Sequence, residues 1–367
     1  MACGAQLNEA SPGYPYMKRW KSSRDVPLDF IVEVCIQRVV LQGIFALEKV
    51  ELLPIEKVQI GLADPIRLFV KNEPHKSEKR RTKRVRLIQS VSVVDNLLLT
   101  LVCGDQNKRE IASWYKGPSC AGIGFTPEHV SQFLQHLPKG PYSHSDMSGW
   151  DWSVQGWELE MDFQMRALLE YGMRVKPTAY HAVLHANYEN QAKAVFLLGD
   201  GRLVEQTEKA GRKTGGKPTA SDNGRDRSMV HYMCGGKWNR AVGDDNTGDF
   251  IENYAEKALE LGHRLRDADV SSDGFRLCSA WWDVKTGKLV HDIAKPLFNY
   301  LTGKRDPGQL EQFLAHLSNH PEESRVRQLL AEEWSGLSNA VKEEVDETEE
   351  EDPDEPDPEG AVSGLFL

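Results

Sequence analysis

The sequence predicts an α+β fold. Strand-like and helix-like patterns alternate irregularly up to about residue 291, and from Asp292 onward the apolar residues recur at helical spacing. With 367 residues, of which 40% are hydrophobic and 27% charged, the chain is long enough for a sizeable core and more than one subdomain. Mixed strands and helices followed by a helical end are typical of α+β proteins.

The elements of the first half follow from local patterns. Residues 1–27, rich in Pro, Gly and Lys/Arg, are predicted to form a loop. A helix is predicted over about 29–53, and short strands over Ile66–Val70 and Val85–Ile88. The segment from Val93 to Val102 is apolar and fits a helix or a strand, and periodicity does not decide between them.

The second half is punctuated by turns. A helix is predicted from Ser153 to Tyr171, and Gly199-Asp200-Gly201 between two strand-like segments predicts a hairpin. Further helices are predicted over Thr219–Met233 and about 250–265. A second hairpin is predicted over 275–291.

Charge is distributed unevenly along the chain. The formal net charge is -10, yet residues 341–360 carry twelve Asp or Glu and one Lys, a local -11, so the remainder sums to +1. Residues 71–86 hold eight Lys or Arg against two Glu. The acidic end is predicted to be disordered, with solvation as its simplest role, and the basic run suits a highly anionic ligand such as a triphosphate.

Composition argues against several classes of protein. The six cysteines include no Cys-x-x-Cys pair, which argues against a zinc site or a disulfide framework and favours an intracellular setting. No uninterrupted run of about 18 apolar residues exists. The apolar segment 30–53 contains Glu33, Arg38, Glu48 and Lys49, so we expect an amphipathic helix and no transmembrane segment.

Two separated acidic segments are the strongest chemical signal. Gly243-Asp244-Asp245 forms a polar turn between two strand-like segments, and Asp146 and Asp151 lie about a hundred residues upstream. If these segments converge, their carboxylates provide hard oxygen ligands for two Mg²⁺ ions. Alone, Gly-Asp-Asp is also a good turn, and Asp151 is also a good helix N-cap.

A glycine-rich loop lies between the acidic segments. Thr214-Gly215-Gly216 precedes Thr219 and Asn223, which share one helix face because they are four residues apart. The alternative is a polar helix start. The loop also begins like a phosphate-binding P-loop, but position 218 is Pro, which has neither the hydroxyl nor the N–H that such a loop needs.

Three other segments carry weaker signals. The basic run includes Lys71, Lys76, Lys79, Arg84 and Arg86, and its alternative interpretation is a solvated loop. A turn that includes Ser11, Gly13 and Pro15 precedes the first helix, and Cys278-Ser279 lies in a segment that also fits a core strand pair. His181 and His185 have metal-like spacing but lack the Glu of a metalloprotease helix, so a surface helix face is favoured.

Taken in order, these segments resemble motifs F, A, B and C of viral RNA-dependent RNA polymerases. Lys71-Asn-Glu-Pro-His75, the 84–95 run and Ser148-Gly-Trp-Asp-Trp-Ser153 are most similar to polymerases of sobemoviruses, poleroviruses and barnaviruses. The resemblance covers roughly residues 11–290. It implies a right hand of fingers, a palm with an antiparallel sheet and a helical thumb. Family members carry a fingers segment before motif G, which this chain is expected to lack.

The resemblance also implies a division of the chain. The predicted parts are fingers with motifs G and F at 1–140, palm with motif A at 141–172, a fingers insertion at 173–210, palm with motifs B to E at 211–291, thumb at 292–340, and the acidic tail at 341–367.

It further implies roles for residues. Asp146, Asp244 and Asp245 would be catalytic and bind two Mg²⁺ ions, with Mn²⁺ as a substitute. The implied nucleotide-binding residues are Lys71, Arg84, Arg86, Asp151, Gly215, Thr219 and Asn223. The implied RNA-binding residues are Ser11, Gly13, Pro15, Lys76, Lys79, Cys278 and Ser279. For the general acid of motif D, His263, Arg264 and Arg266 stay open.

The activity implied is RNA-directed RNA synthesis that replicates and transcribes a positive-strand viral genome. The implied partners are an RNA template and primer, ribonucleoside triphosphates, a viral genome-linked protein, and host or viral replication factors. The implied location is the host cytoplasm at membrane-associated replication complexes. Two alternatives stay open: DNA synthesis by a reverse-transcriptase-like palm, and an RNA-binding accessory protein without catalysis.

Overall fold

The computed structural model describes residues 9–71, 77, 81–82, 85–171, 179–302 and 307–330. The chain forms two compact units, Met1–Lys295 and Pro296–Leu367. Within the described residues of the first unit, the strands form three sheets.

The first sheet carries the acidic segments. Its antiparallel strands are β3 (Tyr142–Met147), β6 (Asn239–Val242), β7 (Asp245–Gly248) and β8 (Leu265–Ser271), in the order β6-β7-β3-β8. Gly243 and Asp244 therefore form the turn that joins β6 to β7, as the sequence predicted. Gly243 has a φ of +60°, a conformation that glycine adopts without a steric penalty.

A second sheet follows the order β2-β1-β4-β5. Its strands are β1 (Ile66–Val70), β2 (Leu87–Ser90), β4 (Val195–Leu197) and β5 (Leu203–Glu205). β4 and β5 form the predicted hairpin around Gly199 to Gly201, with Val195 paired to Glu205. β1 pairs with β2 in antiparallel and with β4 in parallel orientation.

The third sheet comprises β9 (Gly274–Leu277), β10 (Ala280–Asp283) and β11 (Lys288–His291). The sequence predicted a single hairpin here, but Cys278 and Ser279 both adopt positive φ, 53° and 57°, and make an extra tight turn between β9 and β10. Buried Phe275 stacks on Trp282 with ring centroids 6.1 Å apart, which anchors this sheet in an apolar core.

Helices surround the sheets of the first unit. They are α1 (Leu28–Leu47), α2 (Pro54–Gln59), α3 (Val93–Ala112), α4 (Pro127–Gln135), α5 (Trp150–Ser153), α6 (Gly156–Tyr171), α7 (Ala179–Ala192), α8 (Thr219–Met233) and α9 (Tyr254–Glu260). The segment that begins at Val93, left open by its periodicity, is helical through Ala112, and Ser92 caps its start by accepting a hydrogen bond from Asp95 N. The helix predicted from Ser153 to Tyr171 begins three residues later, at Gly156, as α6, and the separate short helix α5 precedes it.

Helix α1 packs a face of mixed polarity, which includes fully buried Ile31, against the core and leaves several apolar side chains exposed on its other face. Its buried residues include Arg38 and Gln42, whereas Ile36, Val40 and Leu47 are 59%, 54% and 83% exposed. Arg38 can be buried because it forms ion pairs of 2.8 Å with Asp64 and 2.7 Å with Asp95. By length and composition alone, α1 is apolar enough to cross a membrane, although Glu33 and Arg38 interrupt its apolar residues, as the sequence shows.

The described part of the second unit is mostly helical. Helix α10 (Ala294–Thr302) runs into it, α11 (Pro307–His316) lies within it, and residues 323–330 are helical. The rings of Tyr300 and Phe313 stack with centroids 5.9 Å apart and join the first two of these helices.

Candidate active site

The acidic segments converge because β3 and β7 are neighbours. Ser145 pairs with Asn246, and the same register continued by one residue places Asp146 opposite Asp245. Burial, then the charge of Asp244 and, to a smaller extent, that of Asp146 together raise the pKa of Asp245 to about 6. Burial also raises the pKa of Asp146, and the Asp244 carboxylate adds to the rise. Carboxylates from two distant segments thus repel one another at one place.

Each of these carboxylates has different neighbours. Asp146 forms an ion pair with Arg266, Asp245 Oδ2 accepts a hydrogen bond of 3.1 Å from the backbone N–H of Cys278, and Asp244 is exposed in its turn. Among the described residues, no group of three His, Cys, Asp or Glu side chains is arranged to hold a metal ion. The donor set nevertheless suits Mg²⁺, which prefers oxygen ligands and offsets the repulsion between crowded carboxylates.

A buried arginine lies beneath the carboxylates. Arg227 in α8 is fully buried, donates hydrogen bonds of 2.5 Å to Ser145 Oγ and 2.8 Å to Tyr254 Oη, and lies 5.7 Å from the ring centroid of Trp150. Its charge lowers the pKa of both Asp146 and Asp245, although burial and the Asp244 charge act more strongly in the opposite direction. Arg227 was not predicted as a site residue, because an arginine inside a helix pattern gives no sign of being buried.

Asp151 and Asn223 meet beside the carboxylates. Asn223 Nδ2 donates a hydrogen bond of 3.2 Å to Asp151 Oδ1, which joins the start of α5 to α8. Burial raises the pKa of Asp151, whereas the Asn223 hydrogen bond and the charge of Arg86 lower it. Arg86 is therefore close enough to act on the same pocket. Within the described part of the chain, the buried Asn223 Oδ1 atom has no hydrogen-bond partner.

The glycine-rich loop is docked on strand β2. Gly215 N donates to Gln89 O at 3.0 Å, and Gln89 N donates to Thr214 Oγ1 at 3.1 Å. Asn96 Nδ2 donates to Gly215 O at 3.1 Å. A Cβ on Gly215 would overlap the Gln89 carbonyl oxygen and stand 3.0 Å from Val91 N. Only glycine therefore fits at this contact.

Arg212 connects the glycine-rich loop to the start of α5 through its backbone and to α8 through its side chain. Its backbone N–H donates to Asp151 O at 2.7 Å, and its guanidinium binds Asp222 at 2.9 Å and also pairs with Asp226. It belongs to a buried network of alternating charges beneath α8. The members of this ion network are Arg166, Arg212, Arg225, Asp162, Asp222, Asp226 and Glu110.

Thr219 and Lys213 hold the loop from inside. Thr219 Oγ1 donates to Lys213 O at 2.7 Å. The Lys213 ammonium is buried and donates to Gln206 Oε1 and to two backbone carbonyls, those of Ala210 and Gly211. Burial and then the charge of Arg212 lower the pKa of Lys213 to about 7.

The three candidates for the motif D acid lie in different surroundings. His263 is fully buried, with Nε2 2.9 Å from Glu158 and Nδ1 3.1 Å from Ser153 Oγ, so neither ring nitrogen faces a substrate. Arg264 is exposed at the entry to β8. Arg266 is the one that contacts Asp146.

The other predicted residues are spread around these groups. Ser11 Oγ accepts a hydrogen bond of 3.3 Å from Gly13 N, and Pro15 follows a cis peptide bond in the same loop. Lys71 N donates to Arg86 O at 2.9 Å, beyond the pairing of β1 with β2. Cys278 and Ser279 form the turn next to Asp245. The predictions for Lys76, Lys79 and Arg84 lie outside the described residues.

Sequence comparisons place these features in a family. The family model described as viral RNA-directed RNA polymerase matches residues 2–137 and 128–274. The replicase polyprotein P2AB of Southern bean mosaic virus is 36% identical over 278 residues, which are 72% of this chain and 28% of that protein. The P1-P2 protein of Potato leafroll virus is 34% identical over 310 residues, which are 78% of this chain and 28% of that protein.

A shorter relative is covered more fully. The RNA-directed RNA polymerase of Mushroom bacilliform virus is 28% identical, over 84% of this chain and 78% of that protein. The chain thus spans 28% of the length of the first two relatives and 78% of this third relative. The predicted resemblance to sobemovirus, polerovirus and barnavirus polymerases is confirmed.

The fold agrees with this assignment. The Sicinivirus 3Dpol RNA-dependent RNA polymerase superposes with a TM-score of 0.55 at 13% identity, covering 70% of this chain and 54% of that chain. The predicted α+β right-hand polymerase fold is therefore confirmed. By its sequence match and its fold, the chain belongs to the family of viral RNA-directed RNA polymerases.

Proposed function

We propose that this chain is the catalytic part of an RNA-directed RNA polymerase, which replicates and transcribes a positive-strand viral genome. The observation that carries this proposal is the pairing of β3 with β7, which sets Asp146 beside the Gly243–Asp245 turn. Membership of the polymerase family supports it.

The proposed metal ligands are Asp146 and Asp244, assisted by Asp245. Their oxygen donors, their crowding and the exposure of Asp244 fit two Mg²⁺ ions, with Mn²⁺ as a substitute. When bound, such ions activate the primer 3′-hydroxyl and offset the charge of the triphosphate. The protein's own part is to hold these carboxylates on one sheet edge, with Arg227 compensating part of their charge from below.

Basic side chains would hold the nucleotide phosphates. The charge of Arg86 lowers the pKa of Asp151, and the Arg86 carbonyl accepts a hydrogen bond from the Lys71 backbone N–H. Arg86 and Lys71 therefore both lie near the pocket that contains Asp151. A guanidinium binds phosphate through a planar fork of donors, which positions as well as neutralises. Arg84, Lys76 and Lys79 extend this assignment by the resemblance alone.

Asp151 and Asn223 would select the sugar. Because Asn223 Nδ2 is engaged by Asp151, its Oδ1 atom is left to accept a hydrogen bond, and that atom is buried. A ribose 2′-hydroxyl supplies such a donor, and a deoxyribose does not. A buried acceptor that stays unpaired costs about 1–3 kcal/mol, so the pocket favours ribonucleotides.

The remaining assignments concern RNA and location. The loop with Ser11, Gly13 and Pro15 would guide the template, and the Cys278-Ser279 turn would support the primer end beside Asp245. Proposed partners are template and primer RNA, ribonucleoside triphosphates, a genome-linked protein and replication factors. The proposed location is a membrane-associated replication complex in the host cytoplasm, and the predicted fingers, palm and thumb boundaries stay predictions.

Primer extension on an RNA template with Mg²⁺ tests the proposal. The wild type and Asp105→Ala, an exposed aspartate in α3, should extend the primer, and the double variant Asp244→Ala, Asp245→Ala should not. Robust synthesis by the double variant would refute the assignment. Salt-sensitive RNA binding without pyrophosphate release by the wild type would favour an accessory protein, and extension with deoxynucleotides alone would favour DNA synthesis.

A further inference from the structure

We propose that Arg266 is a displaceable counterion, which neutralises Asp146 in the metal-free protein and releases it when a divalent cation binds. This rests on the proposed function, since it takes Asp146 as a metal ligand. It adds a residue that controls how the ligand set becomes available.

A register shift between two strands puts Arg266 in this place. β3 and β8 pair Asp146 with Asp267 and Met147 with Leu265, so the shift leaves Arg266 as an extra residue between the two pairs. An extra residue of this kind redirects its side chain relative to the rest of the strand. The Arg266 guanidinium accordingly pairs through Nη2 with Asp146 Oδ2 and through Nε with Asp267 Oδ2, at 2.8 Å in the second pair.

This ion pair occupies one of the carboxylate oxygens that the proposed cation would need. Asp146 directs Oδ2 to Arg266, while Asp245 directs Oδ2 to the backbone N–H of Cys278. An oxygen that accepts from a guanidinium offers less electron density to a cation, and the guanidinium charge repels that cation. Binding of the metal therefore competes with the Asp146–Arg266 pair.

The pair is suited to being exchanged. The side chains of Arg266 and Asp146 are 56% and 36% exposed, and ion pairs at such sites contribute little because water and salt screen them. Arg266 also forms an ion pair with Asp267, so its guanidinium stays close after it leaves Asp146. Arg227 contrasts with it: it is buried and bonded to Ser145 and Tyr254, so its charge is a fixed part of the site.

Mn²⁺ affinity, measured by electron paramagnetic resonance of the free ion without RNA or nucleotide, tests the inference. Arg266→Gln should bind Mn²⁺ about two- to fivefold more tightly than the wild type, the range that corresponds to loss of an exposed ion pair. Arg266→Lys keeps the charge and should stay near the wild type. At about 1 M salt the difference should shrink, because the Debye length falls to about 3 Å.

The control is Arg202→Gln, which removes the same charge from an exposed Arg–Asp pair on the β4–β5 hairpin. It should leave Mn²⁺ affinity unchanged. If Arg266→Gln binds Mn²⁺ no more tightly than the wild type, or if Arg266→Lys gains as much affinity, the counterion role is wrong. If the wild type itself has no Mn²⁺ site that Asp244→Ala, Asp245→Ala abolishes, the proposed metal site fails instead.

Discussion

The close contact between Gly215 and strand β2 predicts that adding a single methyl group at position 215 destabilises the protein. In Gly215→Ala, the new Cβ would overlap Gln89 O and approach Val91 N to 3.0 Å, and both atoms belong to the backbone. Backbone cannot rotate away as a flexible side chain does. The loop must therefore move off β2.

The cost follows from the hydrogen bonds that such a movement breaks. They are Gly215 N to Gln89 O, Gln89 N to Thr214 Oγ1, and Asn96 Nδ2 to Gly215 O. At about 1 kcal/mol for each hydrogen bond, Gly215→Ala should lower the free energy of unfolding by about 2 to 4 kcal/mol. A displaced loop should also raise the KM for ribonucleotides.

Gly199→Ala is the matched control. It makes the same change in a hairpin where a Cβ meets nothing within 4 Å, so both variants alter the unfolded chain alike. Urea unfolding followed by tryptophan fluorescence, and primer extension at several nucleotide concentrations, provide the comparison. If Gly215→Ala matches Gly199→Ala within about 0.5 kcal/mol, the contact does not constrain the loop.

Three other substitutions test separate features of the site. Folding lowers the pKa of Lys213 to about 7, so between pH 7 and about 10 the unfolded chain holds a proton that the folded protein has released. The free energy of unfolding, compared with that of Lys213→Met, should therefore increase with pH by up to about 1 kcal/mol per pH unit. A difference in urea unfolding that stays constant with pH would contradict this. Asn223→Ala should reduce discrimination against deoxynucleotides by about tenfold, measured as a ratio of kcat/KM values, and an unchanged ratio would remove its role. Arg86→Lys should raise the nucleotide KM more than it lowers kcat, because a lysine loses the planar fork, and an unchanged KM would place Arg86 away from the phosphates.

Local signals were enough to predict the elements that carry the acidic segments. Helix α8 has the predicted bounds, Thr219–Met233, and it ends before Gly235, whose φ of +97° suits a helix terminus. The Gly243-Asp244 turn between two strands was also predicted, since its residues favour tight turns whatever surrounds them.

The missed elements depend on distant partners. Strand β8 is rich in Asp and mostly exposed, and it forms because it pairs with β3 over its whole length. Local pattern alone therefore predicted a helix up to about 265, whereas α9 ends at Glu260 and β8 follows. Likewise, Arg38 looks like a surface residue until the fold brings Asp64 and Asp95 to it.

The ion network beneath α8 links distant positions in a way that bears on how such sequences diverge. Arg212 alone engages acids at two positions of α8, and loss of one partner in a buried pair costs about 3–5 kcal/mol because a charge is stranded. Selection should therefore remove substitutions of one charged partner alone, and it should tolerate substitutions that replace both partners of a pair. Among related genomes, we expect position 212 to vary only together with 222 or 226, as a joint substitution that preserves neutrality.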